Sequence, residues 1–358
     1  MIYIHVPFCK SFCTYCDFYS EIAEEDQYGH YTDQVCAEIR RRRKEMDGQP
    51  NTLYFGGGTP SVLPLGDLSR ILLTLEECGH GGPYEEFTME VNPEDIVEKG
   101  LPYLQSLKML GVNRISMGVQ SFDDELLHWM NRRHDAARAK QAYALVREAG
   151  FTNVSIDLIF GLSNLSNDVW QKTIDEALAL NPEHISCYQL TVEGDSVLAM
   201  RLENGEYEEA SDETCRRQYD ILCEKLRRAG YNHYEISNFA KPGYEAVHNS
   251  GYWQRRPYVG LGPAAHSFSG RGRSWNEATL DGYGHTEESL SVEDEKVETL
   301  MLALRTAHGV DEEFLQANCI PGSIEQLLHT GALVKVGRRY RIPEDHFFVS
   351  DEIIRQLI

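Results

Sequence analysis

Hydrophobic and polar positions in the first half of the chain follow two alternating periods. Short runs rich in β-branched and aromatic residues recur at 2–6, 52–55, 86–91, 114–118, 153–159 and 184–190. Between them lie stretches whose apolar residues return every three to four positions, at 31–46, 65–77, 101–110, 136–149 and 169–180. The first kind predicts strands and the second amphipathic helices. Strict alternation of the two implies a parallel sheet with helices outside it. Six such units predict an α/β fold, a partial (β/α)6 barrel. An eight-unit barrel needs two further strand–helix pairs after residue 190, and the pattern does not show them clearly.

Near Asp195 the pattern changes. Residues 203–213 are rich in Glu and Asp and predict an exposed connection into a helix over 213–229. From Glu293 onward, helical patterns at 297–307, 312–317 and 324–330 precede a hairpin over 334–342 with Gly337 and Arg338 at its turn. Three helices and a hairpin predict a winged-helix-like unit placed over the open side of the partial barrel. The expected division is 1–200 for the barrel, 201–292 for an extension and 293–358 for the winged-helix-like unit.

A chain of 358 residues is long enough for one large domain and a smaller one. Its net charge of −22 argues against general nucleic-acid binding, which depends on neutralising phosphates. The basic run 40–44 reads as one solvated helix face. Lys10 and the cysteines interrupt the first apolar run, so the start does not read as a secretory leader. No apolar run approaches the ~18 residues that span a bilayer. A cytoplasmic protein is expected, with association at a membrane surface left open.

Cys9, Cys13 and Cys16 have C-x3-C-x2-C spacing. Three thiolates on one loop can hold three irons of a four-iron cube and leave the fourth open to a small ligand. A zinc site of paired C-x2-C motifs lacks its second pair here. The other cysteines, Cys36, Cys78, Cys187, Cys215, Cys223 and Cys319, are scattered and read as reduced core residues, with Cys187 set apart by its place on a predicted strand.

The run Tyr3-Ile4-His5-Val6-Pro7-Phe8-Cys9, continued to Tyr15-Cys16, resembles the cluster loop of the radical S-adenosylmethionine (SAM) superfamily. Within it, the run resembles the branch holding oxygen-independent coproporphyrinogen III oxidase and the HemW heme-chaperone family. The resemblance implies a [4Fe-4S] cluster on Cys9, Cys13 and Cys16, with SAM chelating the open iron. In that superfamily one electron from the cluster cleaves SAM to methionine and a deoxyadenosyl radical.

Sites in such barrels lie at the C-terminal ends of the strands. The second predicted strand ends in Gly56-Gly57-Gly58-Thr59-Pro60, where glycines let the backbone approach a ligand. The third ends at Glu90, whose carboxylate suits a ribose or an ammonium. The fourth runs on to Gln120, and spacing from Gln120 selects Arg132 over Arg133 as the match to the family's arginine. The fifth holds Asp157 alone among apolar residues, so a ligand or Arg132 is expected beside it. The resemblance implies that Tyr3, Tyr15, Gly57, Gly58, Thr59, Glu90, Gln120, Arg132 and Asp157 line SAM pockets. Ser163 stands where relatives usually carry Pro, a change in loop shape only.

A second stretch, His248-Asn249-Ser250-Gly251-Tyr252-Trp253, places a potential iron ligand beside two flat aromatic faces. On residue types alone, a His beside two aromatics is more often core packing. The stretch resembles the HNxxYW heme motif of the HemW family, which implies that His248, Asn249, Tyr252 and Trp253 contact heme. Arg255, Arg256 and Arg273 are candidate partners for heme propionates, and His266 is a candidate second ligand. The expected function is that of a heme chaperone binding heme, a cluster and SAM. It would hand heme to acceptor hemoproteins and draw electrons from a flavodoxin or ferredoxin. The competing reading is oxygen-independent coproporphyrinogen III dehydrogenase. Three departures weigh against it: Phe18 stands where that enzyme has a further cysteine, the chain opens directly on its first strand, and that enzyme lacks HNxxYW.

Overall fold

The computed structural model describes residues 1–22, 25–48, 51–194 and 196–358; Asp195, where the sequence pattern changes, lies outside them. Six strands run parallel in chain order: β1 (Ile2–Val6), β2 (Thr52–Gly57), β3 (Glu86–Val91), β4 (Arg114–Gln120), β5 (Val154–Phe160) and β6 (His184–Gln189). They are joined through α1 (Glu25–Arg42), α2 (Leu65–Glu77), α3 (Pro93–Met109), α4 (Ala136–Glu148) and α5 (Asn167–Leu180). Three further strands extend this sheet. β7 (Asn232–Glu235) and β8 (Asn238–Ala240) join beyond β6 in antiparallel fashion, and β9 (Val259–Leu261) lies parallel to β1. The order β9-β1-β2-β3-β4-β5-β6-β8-β7 leaves both edges unjoined, so the barrel is partial. Six strand–helix units are therefore present, and the later strands are short edge additions.

The two faces of the sheet differ in chemistry. Ile4, Phe55, Met89, Met117, Ile156 and Ile185 are buried in the apolar core. The positions between them are Tyr54, Thr88, Arg114, Ser116, Asp157 and His184, which a period of two turns to the opposite face. These polar residues meet across strands: the Tyr54 hydroxyl donates to Glu90 at 2.6 Å, Ser116 donates to Asp157 at 3.1 Å, and Ser155 Oγ lies 2.8 Å from His184 Nδ1. Parallel sheets are ordinarily apolar on both faces. Here the inner face forms a polar bore.

The helix α6 (Asp212–Arg228), N-capped by Ser211, packs outside β5 and α5. Its fully buried Gln218 accepts from Gly161 N–H at 2.8 Å and donates to Leu165 C=O at 2.9 Å, while its own carbonyl accepts from the Trp170 indole at 2.9 Å. The chain continues through α7 (Val247–Trp253) to α8 (Val292–Leu304), α9 (Glu312–Asn318) and α10 (Ser323–Thr330). A three-stranded antiparallel sheet accompanies the last helices, in the helix–strand–helix–helix–hairpin order of a winged helix.

This C-terminal part reaches both free edges of the large sheet. Thr306 bridges to Glu235 on β7, and Phe347 and Phe348 pack on His233 and Tyr219. On the other side Arg255 donates to Glu295 C=O and the Thr299 hydroxyl, and Arg273 pairs with Glu298 at 2.6 Å. Among the described residues, no helix is long and apolar enough to cross a membrane. All nine cysteines are free.

Two predictions follow from this packing. Gln218→Leu leaves two buried backbone groups without partners and should lower unfolding stability by about 3 kcal/mol in chemical denaturation; a change near zero would mean that the amide is dispensable. Glu235 is fully buried, and burial pushes its carboxyl up from 4.5 to about 7. Its folded-state pKa is raised, so its contribution is complete below pH 4.5 and is lost as pH rises through 7. Thermal unfolding of Glu235→Gln should show less loss of stability than the parent between pH 5 and 8, by about 1.4 kcal/mol per unit at most. Parallel pH profiles would refute this.

Candidate functional site

The cysteine loop leaves β1 and is held at several points. Thr14 N–H donates to Met130 C=O at 3.1 Å and the Thr14 hydroxyl donates to Trp129 C=O at 3.0 Å. Asn131, in the left-handed region with φ 59°, donates its side-chain amide to Phe12 C=O at 2.7 Å. The corner at 129–132 thereby fixes where the three sulfurs stand. Gly58 lies against them: a Cβ there would come within 2.9 Å of Phe8 C=O and 3.1 Å of Cys9 Sγ. Gly57 has φ 109°, and a Cβ would strike the His5 ring at 2.6 Å.

A hydrogen-bonded arc joins two of the sulfurs. Cys9 Sγ lies 3.4 Å from the Thr59 hydroxyl, which accepts from Asn92 Nδ2 at 3.0 Å. Asn92 Oδ1 accepts from Arg132 at 2.6 Å, and Arg132 also donates to Gly118 C=O at 2.7 Å and to Cys13 Sγ at 3.2 Å. Arg133 turns instead to Glu94, Asp95 and Glu98. Sequence reasoning passed over Asn92. From sequence, an Asn before Pro93 reads as a helix N-cap; in the structure its side chain does not cap α3 and turns to Thr59 and Arg132 instead.

The remaining predicted SAM-pocket residues lie at or below this rim. Tyr15 stands close enough to Arg132, Cys13 and Cys16 to feel their charges. The Tyr3 hydroxyl is 3.1 Å from His5 Nδ1. Gln120 takes φ 65°, uncommon for a residue with a side chain, and closes β4 beside Gly118. Glu90 faces the bore, where desolvation pushes its carboxyl up to about 7 against the Tyr54 hydrogen bond. Asp157 is also pushed up by burial, and Arg114 and three serine hydroxyls oppose the shift. Of the two partners expected for Asp157, a ligand or Arg132, Arg132 is corrected: it is turned to Cys13, and Ser116 and Ser155 donate to the carboxylate.

The donor set fits a cluster. Burial raises the Cys9 thiol, and burial with neighbouring sulfurs pushes Cys16 to about 11, so protons must leave as metal binds. Among the described residues, no three ligating side chains converge on a single-ion position. Thiolates that each take a different iron of a cube have no need to converge.

His248 lies at the other end of the bore. It is fully buried, with Nδ1 2.9 Å from the hydroxyl of Thr52, the first residue of β2, and Nε2 2.8 Å from the Tyr252 hydroxyl. The N–H groups of Val247 and His248 donate to Glu86, the first residue of β3. Cys9, Gly57, Asn92 and Gln120 follow or close the C-terminal ends of their strands, so the two predicted sites occupy opposite mouths. A chain of hydrogen bonds runs between them, from Asp157 through Ser155, His184 and the Tyr234 hydroxyl to Ala246 N–H at the start of α7. Asn249 and Trp253 are half-buried, and their side chains make no hydrogen bond among the described residues. Two expected propionate partners are corrected. Arg255 and Arg273 both pair with Glu298 and pin α8, while Arg256 remains exposed. His266 is exposed and stacks on Trp275 rather than turning toward His248.

Comparison with known proteins gives a concordant result. The Radical SAM superfamily model matches residues 3–177. The chain is similar to the heme chaperone HemW of Synechocystis sp., at 36% identity over 327 residues, covering 86% of this chain and 78% of that protein. It is similar to the heme chaperone HemW of Bacillus subtilis at 33% identity, covering 87% and 84% respectively. Its fold matches the solved coproporphyrinogen III oxidase HemN of Escherichia coli with a TM-score of 0.80 at 23% identity, over 99% of this chain and 89% of that one. The chain belongs to the HemW family within the radical SAM superfamily.

Proposed function

We propose that this chain is a cytoplasmic heme chaperone that binds a [4Fe-4S] cluster, SAM and heme and passes heme to acceptor hemoproteins. Similarity to HemW proteins over most of the chain supports the reading. The observation that carries it here is the arrangement of His248. Nδ1 meets the Thr52 hydroxyl and Nε2 the Tyr252 hydroxyl, so the tautomer that carries its proton on Nδ1 would turn the Nε2 lone pair to Tyr252. Heme iron would take the place of that hydroxyl, so ligation exchanges one partner while Thr52 keeps the ring oriented. Tyr252 and Trp253 would offer their faces to the macrocycle.

At the opposite mouth Cys9, Cys13 and Cys16 would hold the cluster. When bound, it supplies one electron to SAM, received in turn from a flavodoxin or ferredoxin. The arc Thr59-Asn92-Arg132 orients the sulfurs. Gly57 and Gly58 keep the backbone open toward the amino group of SAM, and Tyr3, Tyr15, Glu90, Gln120 and Asp157 line its pocket. Asn249 would stand beside the heme edge.

Anaerobic reconstitution and heme titration test both ends. His248→Ala should lose heme binding and keep the Fe–S absorbance; unchanged heme affinity removes the reading. Tyr252→Phe frees Nε2 and should tighten heme binding severalfold. Cys9→Ala, Cys13→Ala and Cys16→Ala should each lose the cluster, and full iron content in any one contradicts the ligand assignment.

A further inference from the structure

The motif run of the cysteine loop holds one buried side chain to which the proposed function gives no part. His5, on β1, is 4% exposed and lies over Gly57, where a Cβ would meet three of its ring atoms at 2.6–2.9 Å. Its carbonyl accepts from the Tyr31 hydroxyl at 2.7 Å, and Gly262 packs against the same oxygen. Backbone and ring are therefore fixed together. The two ring nitrogens have different partners: Nε2 lies 2.9 Å from the Tyr19 carbonyl oxygen, and Nδ1 lies 3.1 Å from the Tyr3 hydroxyl. A carbonyl can only accept, so the Nε2 proton is donated to Tyr19. Burial lowers the proton affinity of the ring and keeps it neutral, so Nδ1 holds a lone pair and accepts from Tyr3.

Each partner belongs to a different part of the C-terminal mouth. Tyr19 stands three residues past Cys16, on the segment that returns alongside the start of the cysteine loop. There Glu21 N–H donates to Pro7 C=O at 2.6 Å, and Cys9 pairs in register with Ile22. Ser20, next to Tyr19, hydrogen-bonds the Cys9 sulfur and favours its thiolate. Tyr3 lies on the bore wall beside Glu90: a Cβ on Gly56 would come within 3.1 Å of both side chains. One imidazole thus spans from the returning segment to the wall expected to receive SAM.

We propose that His5 is a positioning residue for this mouth, its Nε2–H holding the returning segment against the cysteine loop and its Nδ1 fixing the Tyr3 hydroxyl. The inference rests on the cluster and SAM part of the proposed function and adds the strut that ties their geometry together. Through Tyr19 the ring holds Ser20 against Cys9, and so steadies one of the three sulfurs. Through Tyr3 it sets a polarity: with its hydrogen given to His5, the Tyr3 oxygen is left as an acceptor, suited to the ammonium or a ribose hydroxyl of SAM. Gly57 is part of the same device, because only a residue without a side chain leaves room for the ring.

Two conservative variants separate the two bonds. A Gln side chain carries an amide N–H about as far out as Nε2, and an Asn side chain carries an amide oxygen about as far out as Nδ1. The test uses the full chain, reconstituted anaerobically, and measures cluster loss to an iron chelator, SAM binding per loaded cluster, and heme binding at the opposite mouth. His5→Leu should shed its cluster about fivefold faster than the parent and bind SAM about fivefold more weakly, the scale of one hydrogen bond each. His5→Gln should keep the cluster within about twofold of the parent and still lose SAM affinity. His5→Asn should do the reverse. Heme affinity should stay within about twofold of the parent in all three.

Gln and Asn variants that both match the parent, or both match His5→Leu, overturn the proposal, since a ring that only fills space gives no such split. A parallel fall in cluster retention, SAM binding and heme binding also overturns it, because that marks general loss of structure. Full iron content in Cys9→Ala sinks the cluster assignment and this inference with it. A split that fails on a parent bearing its cluster sinks the inference alone.

Discussion

Glu86, Glu90, Arg114 and Asp157 stand on the inner face of three neighbouring strands, and what their desolvation costs governs the rest of the design. A charge taken from water must be matched by fixed dipoles, or it shifts its proton equilibrium. The chain does both. Tyr54, Ser116, Ser155 and the backbone of α7 supply the dipoles, and burial raises the proton affinity of Glu90 and Asp157. The apolar outer face and its helices make this possible by holding the strands rigidly enough for the inner bonds to persist.

From that interior the two mouths acquire different chemistry. At the C-terminal mouth, glycines and a loop tied to the 129–132 corner bring three thiols beside an arginine and an amide. At the N-terminal mouth a short helix presses a histidine onto the first residues of two strands. From Asp157 in the bore, a hydrogen-bonded chain runs through Ser155, His184 and Tyr234 to the start of that helix. One continuous set of buried polar groups joins the two mouths.

The unjoined edges of the sheet need separate management, since an exposed ladder invites other chains. Short strands on either side and the C-terminal helices do this work. Thr306, two residues past the end of α8, bridges one edge, and the Arg255–Glu298–Arg273 group secures α8 near the other. These arginines read from sequence as ligand contacts because charge and proximity along the chain cannot tell a salt bridge within the fold from a binding site.

Local pattern alone was enough for the six parallel strands and the helices between them, because a two-residue or four-residue period survives without knowing neighbours. Cys9, Gly58, Gln120 and Arg132 were singled out by likeness to a family's motifs. Motif likeness singled out His248 but not its setting. Only the tertiary structure decided that it is buried with both ring nitrogens bonded, that Asp157 meets serines instead of Arg132, that Asn92 links Thr59 to Arg132, and that Arg114 is buried in the bore near Glu86 and Asp157 with its Nε unbonded. Most of those contacts join residues 33 to 196 positions apart, and a hydrogen bond depends on ångströms and angles that sequence separation does not encode.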